Sequence, residues 1–264
     1  MIKIEDLLGI FAVSILLVFI GTLFFLGIYL IIRAYQTSEY KILFVSCASF
    51  SIAIGFIGSN VLSLGRTFEE VFVVAGFISL SMFTFFTFHR SRKRTFLVLL
   101  SIIILGILLF ITKSLFVIFP IISIGYFYKI LDTAFTFLVF FWLGFSSYKI
   151  YRSIKEYNVQ HWIKFRYKVI SFTSFITSFQ TIPELFLEPS ITYTDTENII
   201  VSVVFMITLF ITIIFSSGFL LAWFIPDSLK KYLNRDYQVS ESLDMPEEEL
   251  YNLIRRERNH PKKS

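Results

Sequence analysis

The chain has 264 residues, of which 56% are hydrophobic, 19% aromatic and only 16% charged, with a net charge of +5. A soluble domain carries about 25% charged residues, so a water-facing shell cannot be built and a soluble enzyme is excluded. The single cysteine, Cys47, excludes a disulfide framework and multi-cysteine metal sites.

A helix crosses a hydrocarbon layer of about 30 Å with about 20 largely apolar residues. The first uncharged run, residues 7–32, is too long for the core of a cleaved signal and predicts a retained span. Span 2 follows at 42–65, with Ser51, Gly55, Ser59 and Ser63 at four-residue steps, a pattern that lets a neighbouring backbone approach. Span 3 is predicted over 71–88, and His89, beside Arg90, reads as part of a basic collar. Lys113 interrupts the next apolar stretch. A tight turn at Pro120 resolves it into span 4 at 96–119 and span 5 at 122–148. Around that turn Phe116, Phe119, Tyr126, Phe127 and Tyr128 suit an interfacial aromatic belt.

Span 6, at 169–187, is the most informative. At 100° per residue, Thr173, Ser174, Thr177, Ser178, Gln180 and Thr181 share one half of the helix, and Phe172, Phe175, Ile176 and Phe179 the other. Lipid cannot bond hydroxyls or an amide, so the polar half is predicted to face the bundle interior, as glue between helices or as the wall of a polar cavity. Pro183 is expected to end this helix. Span 7 covers 199–226, where Thr208, Thr212 and Ser216 read as a second packing seam.

All of the 24 basic residues except Lys3, Arg66, Lys113 and Lys129 fall in the first, third and fifth loops or the tail. The stretch 188–197 carries Glu188, Asp195 and Glu197 with no base. Basic loops lie on the cytoplasmic side. The chain is therefore predicted to be an all-α, polytopic membrane protein, a seven-transmembrane-helix bundle with its N-terminus outside and its C-terminus cytoplasmic. Residues 1–226 form the bundle, and 227–264 form a short cytoplasmic tail. The predicted location is the cell membrane, and the positive charge requires no nucleic-acid partner.

Ionisable residues inside a bilayer are functional candidates. Lys129, Asp132 and Glu184 are placed near the outer surface by helical rise, where Lys129 and Asp132, three residues apart, are expected to pair with each other. Gln180 is the deepest strongly polar side chain. Midplane carboxylates for ion coupling, converging metal ligands and the GxSxG, HExxH, P-loop and GxGxxG motifs are not found, so no enzyme activity, metal or cofactor is expected. The candidate ligand-binding residues are Gln180, Thr177, Asp132 and Glu184.

In the tail, Leu229, Tyr232 and Leu233 beside Lys230 and Lys231 predict a short helix on anionic headgroups. Asp244 and Glu247 have capping-box spacing before an apolar stripe that includes Leu250 and Leu253. Arg92, Lys93, Arg94, Lys164, Lys230, Lys231, Leu250 and Leu253 are the candidates for contact with a partner or the membrane surface.

The seven-span pattern, with Trp223-Phe224-Ile225-Pro226 leading into Leu229-Lys230-Lys231-Tyr232-Leu233, resembles the seven-helix sensory modules that precede histidine kinase or other output domains in microbial signalling proteins. That resemblance covers residues 1–226 and implies a receptor-like sensor that binds a small ligand from the outer face and signals to a separate cytoplasmic protein. Microbial rhodopsins share the topology, but their helix 7 lysine has no counterpart in 199–226. The alternatives are a small-molecule or lipid transporter or binding protein, and a structural subunit of a membrane complex.

Overall fold

In the computed structural model, residues 4–89, 93–157, 159–188 and 199–235 are described. Among them the chain is helical throughout, with α1 (Ile4–Thr37), α2 (Leu43–Asn60), α3 (Arg66–Thr84), α4 (Lys93–Ile118), α5 (Ile122–Ile154), α6 (His161–Thr177), α7 (Ile199–Trp223) and α8 (Asp227–Leu233). Six of these, α1 to α5 and α7, are long and apolar enough to cross a membrane, which makes this a multi-pass membrane protein. The remaining long helix, α6, has 17 residues and carries Lys164, Arg166 and Lys168 in its first half. It packs between α5 and α7. Large apolar side chains remain exposed all along the bundle, Phe11 and Leu17 on α1 and Ile104 on α4 among them, as a lipid-facing surface requires.

Several boundaries differ from the expected ones, each for a local reason. Span 2 stops at Asn60, because Ser63 (φ 54°) and Gly65 (φ 85°) turn the chain through left-handed backbone. The next helix then begins at Arg66, five residues earlier than the apolar run implied, so Glu69 and Glu70 become helical. Negative charge in a first turn is favourable there. A π-helical turn at Phe85–His89 ends this rod. His89 does not join a basic collar: it is buried, its Nε2 lies 2.7 Å from Ser146 Oγ, and its ring stacks on Trp142. The sixth helix is displaced toward the N-terminus relative to the predicted 169–187. It starts at His161 and ends at Thr177, and a turn and a 3-10 segment, Ile182–Phe186, with Pro183 in its first positions, follow it. Its facial pattern is the expected one, with Thr173, Ser174, Thr177, Ser178, Gln180 and Thr181 buried and Phe172 and Phe179 exposed.

Close helix contacts use small residues. A Cβ on Gly55 would sit 3.1 Å from the Glu69 carbonyl oxygen of α3, and one on Gly76 would sit 3.1 Å from that of Ala48 on α2. The Gly55 seam predicted on span 2 is therefore the α2–α3 interface.

The C-terminal end of α7 is closed by cations. Arg33 Nη1 donates to the Trp223 carbonyl at 2.6 Å, and Arg166 Nε donates to the Ala222 carbonyl at 3.1 Å. Arg166 is 3% exposed, its guanidinium 4.8 Å from the Trp162 ring centre and 5.2 Å from that of Trp223. Helix C-termini expose unbonded carbonyls and a negative dipole end, so cations there are worth about 0.3–1 kcal/mol each and up to about 2 when partly buried. Phe83, Phe219 and Trp223 pack edge-on beneath this cap. Beyond Pro226 the predicted short helix forms as α8. The Trp162 backbone N–H donates to Asn234 Oδ1 just past it, and Lys230 pairs with Asp227 at 2.9 Å, which holds that exposed carboxyl below its usual range.

Candidate functional site

Between α1, α2, α3, α5 and α7 the bundle encloses a cavity of about 1040 Å³. Its lining runs along α7 from Ser202 to Phe219, about 26 Å at 1.5 Å per residue. Small-molecule sites commonly measure about 300–1,000 Å³, so this one is large.

The cavity has two chemically distinct parts. Toward the Trp223 end its walls are apolar, with Leu23 and Leu26 from α1, Phe77 and Leu80 from α3, Phe140 from α5 and Phe219 from α7. The opposite end is charged. Glu69 and Glu70 from the start of α3, Lys113 from the last turns of α4, Lys129 and Asp132 from α5, and Glu184 from the 3-10 segment all face it. Three separate helix ends and one turn thus bring ionisable groups to one place. Tyr128 Oη donates to Glu70 Oε2 at 3.1 Å, and Lys113 Nζ lies 4.0 Å over the Tyr128 ring. Lys113 is buried, and its long stem reaches the charged mouth.

Lys129 does not pair with Asp132 as its three-residue spacing suggested. Its Nζ donates to the carbonyl oxygens of Glu184 (2.9 Å) and Leu187 (2.5 Å), tying α5 to the 3-10 segment. Two backbone acceptors at the end of a short helical turn offer the ammonium better geometry than one carboxylate along its own helix. Asp132 is left facing the cavity.

Of the four ligand candidates, Asp132, Gln180 and Glu184 line this one cavity, whereas Thr177 is fully buried and donates its hydroxyl to the Thr173 carbonyl at 2.9 Å. Gln180 lies in the turn after α6, not on the helix, and its N–H bonds to the Thr177 carbonyl. Its side chain is 6% exposed and its Oε1 has no hydrogen-bond partner; the Thr181 hydroxyl, equally buried, has none either. A buried polar atom left unbonded costs about 1–3 kcal/mol. The predicted seam of Thr208, Thr212 and Ser216 on α7 also lines the cavity, and Thr208 donates to the Gln180 carbonyl at 3.4 Å.

Sequence reasoning did not single out Glu69, Glu70 or Lys113 as site residues. The adjacent Glu-Glu pair was visible, but a span counted from the first uncharged residue leaves such a pair outside by construction. Among the surface candidates, Arg94 is exposed, Lys93 opens α4, and Lys230 and Lys231 lie on α8. Lys164 donates to the Lys155 and Tyr157 carbonyls and so pins the 5–6 loop. Arg92, Leu250, Leu253, the Asp244/Glu247 box and the acidic stretch beyond Glu188 lie outside the described residues.

No protein-family model matches the chain, and neither a curated protein nor a solved structure matches it.

Proposed function

We propose that this protein is a receptor-like membrane sensor whose ligand is a small molecule held in the cavity between α1, α2, α3, α5 and α7. The observation that carries this reading is a large cavity that keeps the Gln180 side-chain amide oxygen and the Thr181 hydroxyl buried and unbonded beside four carboxylates. Polar groups retained at such a cost in a bundle interior are best explained by a partner they receive from outside the chain. The charged mouth is assigned to the exterior on the rule that basic loops lie on the cytoplasmic side.

Signalling follows from what lies at the far end of α7. Its last turn is held by Arg33 and Arg166, and Phe224 to Pro226 connect it to α8. A ligand that contacts Thr208 and Thr212 in one bundle state more than in another would shift α7, and α8 would present that shift to a cytoplasmic protein. The second reading, a transporter, is favoured by the cavity's length: only the turn from Phe219 to Trp223 separates its floor from that end.

The test uses an alcohol-headed alkyl diazirine in phosphatidylcholine nanodiscs, followed by peptide mapping. Saturable labelling at Thr208, Thr212 and Phe219 and at Asp132, Thr136 and Phe140, suppressed by excess phenylbutanol, supports the cavity reading. Labelling confined to lipid-facing residues such as Phe210 and Phe145, without competition, overturns it. Flux of phenylbutanol across protein-containing vesicles above that of empty ones would favour transport.

A further inference from the structure

Which head group would such a molecule carry? Resting on the ligand-binding reading above, we infer that the ligand is a cationic amphiphile, an alkyl or arylalkyl ammonium, with its nitrogen in the mouth near Asp132 and Gln180 and its apolar body against Phe77, Phe140 and Phe219.

The bases at the mouth are already engaged by the chain's own groups. Lys129 is bound to two backbone carbonyls, and Lys113 covers the Tyr128 ring. The acids are engaged too, Glu69 by the Ser59 hydroxyl. Glu70 accepts from Tyr128 through Oε2, and Gln180 Oε1, an acceptor, has no donor at all. An amide oxygen only accepts, whereas an ammonium only donates. The unbonded amide oxygen beside the mouth is therefore an acceptor awaiting a donor, and its complement is a donor-only head.

Charge points the same way. Among the described residues the cavity is lined by four carboxylates, Glu69, Glu70, Asp132 and Glu184, against Arg66, Lys113 and Lys129. Acidic groups outnumber basic ones in this lining, which suits an added cation better than an added anion. Aromatic lining adds a further preference, since Tyr128 and Phe116 stand at the same level and ring faces attract cations. The apolar remainder of the cavity, reaching Leu26 and Phe219, has no use for a small hydrophilic ion and accommodates a hydrocarbon body.

The experiment varies the head and keeps the body. Phenylbutylamine, phenylbutanol and phenylbutyrate compete against the alcohol-headed photoprobe in phosphatidylcholine nanodiscs, a zwitterionic bilayer that does not itself concentrate cations. Phenylbutylamine is expected to reach half-displacement at least tenfold below phenylbutanol, with phenylbutyrate weakest; tenfold corresponds to about 1.4 kcal/mol. In Asp132→Asn the amine's advantage over the alcohol is expected to shrink to about threefold. Equal displacement by all three, or a preference for phenylbutyrate, overturns the cationic assignment and leaves the cavity reading standing. No saturable photolabelling of the wild-type protein overturns both. The wild-type series decides the matter even if Asp132→Asn does not fold.

Discussion

The two ends of α7 treat their polar groups in opposite ways. At Trp223 the exposed carbonyls of a helix terminus receive donors from Arg33 and Arg166, aromatic rings cover the guanidinium groups, and α8 packs alongside. At the other end Thr208 looks across to Gln180, whose own amide oxygen is buried without a donor, and to a mouth of carboxylates and ammoniums from four different segments. One end uses polarity to hold the fold. Unbonded buried atoms occur at both ends, Arg33 Nε and Trp223 Nε1 at the closed one, but those of Gln180 and Thr181 line a cavity, and that difference is what marks the mouth as a site.

This contrast predicts substitutions of opposite sign. The largest loss belongs to the closed end. Arg166→Met leaves the Ala222 carbonyl without its donor and removes two cation-ring contacts, and thermal or denaturant unfolding in nanodiscs should show a loss of about 3 kcal/mol. Because Arg33 serves the adjacent carbonyl of the same helix end, the double variant with Arg33→Met should depart from additivity by at least about 0.5 kcal/mol. Additive losses would mean that the two arginines act separately and that the cap is not a unit.

Lys129→Met tests the link between the ends of α5 and the 3-10 segment. Two bonds to backbone carbonyls are lost, so a cost of about 1–2 kcal/mol is expected, with faster amide exchange localised to Ile182–Phe186. Unchanged exchange there would show that the ammonium is a bystander. The smallest effect is on the cavity side. Thr181→Val removes a buried, unbonded hydroxyl at nearly constant shape, and stability should rise by up to about 1 kcal/mol. A loss of similar size would place a bonding partner on that hydroxyl and weaken the contrast.

How much of this could be read from residue order alone follows the same division. Long uncharged runs are local signals, and six of the seven predicted spans and the inward face of Thr173 to Thr181 emerge from them. That face survives even though α6 ends at Thr177, since the following turn keeps Gln180 and Thr181 inside. Positions of charges were harder. Reading charged residues as span boundaries put Glu69 and Glu70 outside, but a left-handed turn at Ser63 to Gly65 lets α3 begin before them. The i, i+3 spacing of Lys129 and Asp132 suggested a pair, whereas carbonyls some 55 residues away proved the better acceptors. Convergence of α3, α4, α5 and the 3-10 segment on one cavity is a tertiary fact with no periodic signature. His89 shows the same limit from the other side: adjacent to arginine in the chain, it is buried against Trp142 and Ser146 in the fold.

Gln180→Leu puts both halves of the account into one protein. Stability and phenylbutylamine displacement of the photoprobe are measured on the same nanodisc preparation. The account predicts a variant more stable than the parent by about 1 kcal/mol, because an unbonded buried amide oxygen has been removed, yet weaker for the amine by about tenfold. A variant that is destabilised while binding the amine as well as the parent would contradict it, since Gln180 would then be a structural strut and the cavity end would hold nothing in reserve.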